Sequence, residues 1–143
     1  MTTEQAFKLE AALKIHLLLV DDEPDFKEVM QKHLSRMGIR LNVSDCCLDA
    51  LDTLEAHAID VVIMDMNMPG VDGIQCLRKV KARWPQIEVI ILTGHASVKS
   101  GIEGMQSGAF DYCLKPIDVR ELIEKVELAA QKALINQEDG SIV

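Results

Sequence analysis

The sequence predicts an α/β fold, a doubly wound parallel sheet of five strands with about five helices. Two observations predict it. Four short apolar runs, three of them rich in Val, Ile and Leu, have the length of strands and are near-continuous rather than alternating, which suits strands buried on both faces. Those runs alternate with amphipathic helical patterns across short connections, and strict β-α alternation builds a parallel sheet with helices on both sides.

In chain order, Ile15–Val20 (IHLLLV) is the first strand. Phe26, Val29, Met30, His33, Leu34 and Met37 then follow the i, i+3, i+4, i+7 spacing of an amphipathic helix, and Gly38 supplies its stop. Arg40–Val43 (RLNV) is a weaker strand, polar enough to lie at an edge. Leu48, Leu51, Leu54 and Ala58 mark the second helix, and Asp60–Met64 (DVVIM) the third strand. Ile74, Leu77, Val80 and Trp84 mark a helix ended by Pro85, with Trp84 packing its end. Glu88–Leu92 (EVIIL) is the fourth strand. The stretch from Ser97 to Ser107 is the weakest helix, because Gly101 and Gly104 each cost ~1 kcal/mol relative to Ala. Phe110–Leu114 (FDYCL) closes the sheet. Leu122, Ile123, Val126, Ala129, Ala130 and Ala133 form a long last helix starting at Asp118. Residues 1–13 read as an N-terminal extension, 14–135 as the domain, and 136–143 as a polar tail, a linker stub or a frayed end.

The 143 residues suffice for one domain with a sizeable core. Hydrophobic residues make up 48% but aromatics only 3%, so Leu, Ile, Val, Met and Ala must fill that core. A formal net charge of −8 and the lack of a Lys/Arg run disfavour nucleic-acid binding. No stretch has the ~18 apolar residues of a membrane span, and the N-terminus lacks a signal-peptide pattern. The expected location is the cytoplasm. Cys46, Cys47, Cys76 and Cys113 contain no C-x-x-C pair, so the expectation is four reduced, mostly core-packed thiols. His16, His33 and His57 read as structural or exposed, and Met64, Met66 and Met68 as packing.

In such sheets ligands sit at the carboxyl ends of the strands, near the point where strand order reverses. There the first strand delivers Asp21, Asp22 and Glu23, the third Asp65, the fourth Thr93, and the fifth Lys115 and Pro116. Taken singly, Asp22 reads as a helix N-cap, Thr93 as a strand end and Lys115 as a surface lysine. Together they form a constellation. Asp21, Asp22 and Asp65 crowd like charges that a cation would relieve. Carboxylate oxygens without His or Cys favour Mg²⁺, or Mn²⁺, over zinc. Beside a metal, one carboxylate can attack a phosphoryl group while Thr93 and Lys115 engage its oxygens.

The blocks VDDE (Val20–Glu23), MDMNMPGVDG (Met64–Gly73), LTGHAS (Leu92–Ser97) and YCLKP (Tyr112–Pro116) occur in the order found in response-regulator receiver domains. The chain resembles that family over about residues 13–135, and GHAS and GAFDYCLKPID look most like receivers fused to AAA+ transcriptional activators. The resemblance implies the flavodoxin-like strand order 2-1-3-4-5. It implies Asp65 as phosphoacceptor, with metal ligands from Asp22, Asp65, Asp21 through water, and the Asn67 backbone carbonyl. It further implies a cis Lys115–Pro116 peptide, a switch pair of Thr93 and Tyr112, and tuning of the acyl-phosphate lifetime by Asn67 and His95. The implied donor is a sensor histidine kinase or phosphotransfer protein, and the implied output a phosphorylation-dependent homodimer through the fourth-helix to fifth-helix face. On this reading the chain is a regulatory domain in a phosphorelay and not an enzyme. A stand-alone switch and one module of a longer regulator both fit the sequence.

Three other functions share parts of this pattern. An Asp-nucleophile phosphatase of the haloacid-dehalogenase type also uses Asp, Thr and Lys, but this chain has Asn67 where that motif carries a second Asp. A flavodoxin-like electron carrier would need a phosphate cradle where Asp21, Asp22 and Glu23 repel phosphate. A receiver-like adaptor that is never phosphorylated would not need the whole site.

Overall fold

The computed structural model describes residues 2–6, 14–68, 72–94 and 98–142. Five strands, β1 (His16–Val20), β2 (Arg40–Ser44), β3 (Val61–Asp65), β4 (Glu88–Thr93) and β5 (Asp111–Leu114), alternate with five helices. The helices are α1 (Pro24–Arg36), α2 (Cys47–Ala56), α3 (Gly73–Arg83), α4 (Val98–Gln106) and α5 (Val119–Ile142). A further helical turn covers residues 3–6. All neighbouring strands are parallel and the order is β2-β1-β3-β4-β5, as expected.

Two apolar layers sandwich the sheet. On one face Leu17, Leu19, Val61, Ile63, Ile90 and Leu92 meet Met30 and Leu34 of α1 and Leu122, Val126, Ala129, Ala130 and Ala133 of α5. On the other, Leu18, Val20, Val62, Met64, Val89 and Ile91 meet Ala50 and Leu54 of α2 and Cys76, Leu77 and Val80 of α3. Alternate residues of β1, β3 and β4 thus serve opposite layers, which is why those strands read as unbroken apolar runs. The edge position of β2 matches its partly exposed pattern.

Local chemistry sets the helix ends. Pro24 opens α1, and Gly38, at φ 76°, takes the left-handed conformation that ends it. Glu23, rather than Asp22, occupies the N-cap position of α1 and makes no side-chain cap bond. Asp72 and Asp118 do cap, each accepting from two backbone N–H groups of α3 and α5. Gly104 lets α4 lie close to the sheet, since a Cβ there would fall 2.2 Å from Cδ1 of Ile91.

One expectation needs correction. Cys47 and Cys76 are joined by a disulfide, while Cys46 and Cys113 are free. Packing of α2 beside α3 brings the two Cα atoms to 6.0 Å, a juxtaposition that local sequence does not reveal. The last helix, α5, runs on through the polar tail to Ile142. Nδ2 of Asn136 donates to the Gln86 carbonyl (3.2 Å) and to Oε1 of buried Glu88 (2.9 Å), which ties this part of α5 to the start of β4. Among the described residues no helix is long and apolar enough to cross a membrane.

Candidate phosphoacceptor site

Strand register assembles the site. Val20 of β1 pairs with Met64 of β3, so the next residues, Asp21 and Asp65, come out side by side. Asp65 pairs with Leu92 of β4, which places Thr93 one step beyond, and Thr93 pairs with Leu114, which places Lys115 one step further. The order of the sheet reverses between β1 and β3, where the fold leaves a crevice.

Asp21 and Asp65 are buried and Asp22 is exposed, and one carboxylate oxygen from each lies within 4.8 Å of the others. Oδ1 of Asp21 accepts from the Glu23 N–H at 2.8 Å. Its buried Oδ2 has no hydrogen-bond partner among the described residues. Oδ1 of Asp65 accepts from the Asn67 N–H at 2.9 Å, and Oδ2 lies 3.0 Å from the Lys115 ammonium.

Burial raises the Asp21 carboxyl above its ordinary range; the Glu23 N–H works against this, and neighbouring Asp65 adds to it. For Lys115, burial acts to lower the ammonium, but the hydrogen bond and charge of Asp65, with Asp21 and Glu23 behind it, outweigh burial and raise it. An orphaned buried oxygen in an all-oxygen cluster fits a hard divalent cation such as Mg²⁺. Asp21, Asp22 and Asp65 would hold it, with room for water on the exposed Asp22 side.

The remaining predicted residues surround this cluster. Thr93 is fully buried, and its carbonyl accepts from the Lys115 N–H at 2.8 Å. Asn67 is exposed beside Gly94, whose added Cβ would stand 3.3 Å from the Asn67 amide nitrogen. The Lys115–Pro116 peptide is cis. Tyr112 is 38% exposed, and its ring would stand 3.7 Å from a Cβ on Gly101 of α4. Tuning by His95 falls on a residue outside the described residues.

Sequence reasoning did not single out Lys125. Its ammonium donates to the Tyr112 carbonyl, sits 5.4 Å from the Tyr112 ring centre and lies 3.4 Å from Asp111. No local pattern marks it, because the contact depends on how α5 packs against β5. Met66, read from the sequence as a packing residue, leaves no room for a side chain at Gly73, so the start of α3 packs on the residue that follows Asp65.

The family model of the response regulator receiver domain matches residues 17–127. The chain is 34% identical over 111 residues to the DNA-binding transcriptional regulator NtrC of Klebsiella pneumoniae, covering 78% of this chain and 24% of that protein. It is 35% identical over 127 residues to the response regulator protein FleR of Pseudomonas aeruginosa, covering 88% and 27%. A solved receiver domain protein from Clostridium thermocellum superposes with a TM-score of 0.78 at 32% identity, covering 85% of this chain and 98% of that one. With these matches on the same fold, the chain belongs to the response regulator receiver domain family of two-component signalling. It spans about a quarter of the length of the curated relatives it matches.

Proposed function

We propose that this receiver is a phosphorylation-activated switch, in which Asp65 takes a phosphoryl group from a phosphohistidine of a sensor kinase or phosphotransfer protein. The observation that carries this reading is the convergence of Asp21, Asp22 and Asp65 with Lys115 on one of them. A carboxylate oxygen of Asp65 forms the new P–O bond as the P–N bond to histidine breaks, and the imidazole leaves. Mg²⁺, or Mn²⁺, supplies charge neutralisation at the phosphoryl oxygens when bound. Lys115 already touches Asp65 and can follow the charge to a phosphoryl oxygen. Asp21, with its buried and unpaired oxygen, would help Asp22 and Asp65 hold the ion, and the Asn67 carbonyl would add a ligand.

The output follows from Thr93 and Tyr112. Thr93 turns its hydroxyl to the phosphoryl group, and the space it leaves admits the Tyr112 ring, now half exposed against Gly101. The glycine-containing α4 shifts in response, because a weakly stabilised element moves for a few kcal/mol. The changed face of α4, β5 and α5 then serves a second copy or a downstream effector. Like the kinase step, this takes place in the cytoplasm and without direct contact to nucleic acid.

The test is transfer from a phosphohistidine donor with Mg²⁺. The reading expects one phosphoryl group per chain at most, abolished by EDTA, and no multiple turnover on phosphomonoesters. Turnover on such esters would move the assignment to a phosphatase.

A further inference from the structure

Beyond the phosphoacceptor site, the molecule carries a second reactive cluster where α2 meets α3. We propose that Cys47 and Cys76 form a reversible dithiol/disulfide pair that exchanges with small thiols and disulfides of the glutathione class. Cys47 is the first residue of α2, a helix of ten residues, and Cys76 lies in the first turn of α3. The two are bonded in the structure, and an open cavity of about 340 Å³ beside the bond is lined by Cys46, Leu48, Asp72, Gln75 and Lys79.

The geometry assigns different roles to the two sulfurs. Cys76 also borders the cavity but is only 2% exposed, so a solvent-borne thiol or disulfide reaches it far less readily than Cys47. Cys47 is half-buried on the cavity wall and stands at a helix N-terminus, where the unpaired N–H groups favour a thiolate. In the oxidising direction the Cys47 thiolate attacks one sulfur of glutathione disulfide, forming a mixed disulfide and releasing one glutathione thiolate. The Cys76 thiolate then attacks the Cys47 sulfur, closing the protein disulfide and releasing the second glutathione. Two electrons pass from the protein pair to the small disulfide, and the thiol protons go to solvent. Cys113 takes no part, since burial pushes its thiol up to about 11.

The tie falls at a consequential place. Asp72 caps α3 through the Ile74 and Gln75 N–H groups, and Gly73 packs on Met66, the residue after Asp65. Closing the pair therefore tethers the start of α3, which packs on the residue that follows Asp65.

The test equilibrates the purified chain in glutathione buffers of graded ratio, followed by acid quench, denaturing alkylation and peptide mapping. Cys47 and Cys76 are expected to lose alkylation together and to regain it in reducing buffer, while Cys46 and Cys113 stay alkylatable throughout. Persistent alkylation of Cys47 and Cys76 at every ratio overturns the proposal, as does a bond that survives the most reducing buffer. In Cys76→Ser, with its fold checked by circular dichroism, one glutathione should accumulate on Cys47. An adduct on Cys46 instead, or none, refutes the assigned order of attack. None of these readouts depends on phosphorylation of Asp65.

Discussion

The Lys115 ammonium stands 3.0 Å from Oδ2 of Asp65, a carboxylate that is itself 2% exposed. Removing that ammonium leaves a buried anion facing Asp21. Lys115→Gln should therefore lower stability in metal-free buffer by about 1–2 kcal/mol, less than for a fully buried pair because Lys115 retains solvent contact. Urea unfolding at neutral pH measures this. Adding Asp65→Asn should recover most of the loss, and a purely additive double variant would contradict the pairing.

Asp21 behaves in the opposite sense. Its carboxyl is raised by burial, so the contribution to stability is present when it is protonated and is lost as pH rises through its raised value. Without metal, the charged form of Asp21 is a liability because burial disfavours it. Asp21→Asn should stabilise the metal-free chain by about 1–2 kcal/mol while weakening Mg²⁺ binding at least tenfold. Thermal unfolding with and without Mg²⁺ checks both signs together. As pH falls through the raised value, Mg²⁺ affinity of the native chain should drop, because the proton and the ion compete for one carboxylate.

The seating of α4 rests on the missing side chain of Gly104. Gly104→Ala places a methyl group 2.2 Å from Cδ1 of Ile91, and the strain should exceed the ~1 kcal/mol gained in helix propensity. A net loss of about 1 kcal/mol is expected by chemical denaturation. Ile91→Val deletes the clashing atom, so the double variant should be more stable than the two single losses added together.

Cys113 supplies a pH test of the interior. Burial raises its thiol from an ordinary 9.0 to about 11, so its share of stability is present in full below pH 9 and is lost as pH rises toward 11. In the native chain at pH 8, iodoacetamide should modify Cys113 roughly 100-fold more slowly than in the urea-unfolded chain. Equal rates would mean that the β5 layer is open.

Much of this site was legible because a parallel sheet sends every strand the same way. Residues that follow apolar runs, Asp21, Asp65, Thr93 and Lys115, must then reach one edge, and the register places them in steps. The bond between Cys47 and Cys76 was not legible, since it depends on how two helices pack across 29 residues of sequence. The length of α5 was hidden for another reason. Its last turns carry a glycine and no strong apolar stripe, yet propagation from an anchored helix needs little, and Asn136 finds Glu88 only in three dimensions. Helix capping by Asp22 was plausible from sequence, but the chain begins α1 one residue later and leaves that carboxylate at the site.

Intact mass after incubation with a small acyl-phosphate donor decides whether Asp65 accepts a phosphoryl group. One phosphoryl group should be gained by the native chain with Mg²⁺, none with EDTA and none in Asp65→Asn. An equal gain in Asp65→Asn, or a gain indifferent to divalent ions, would contradict that assignment.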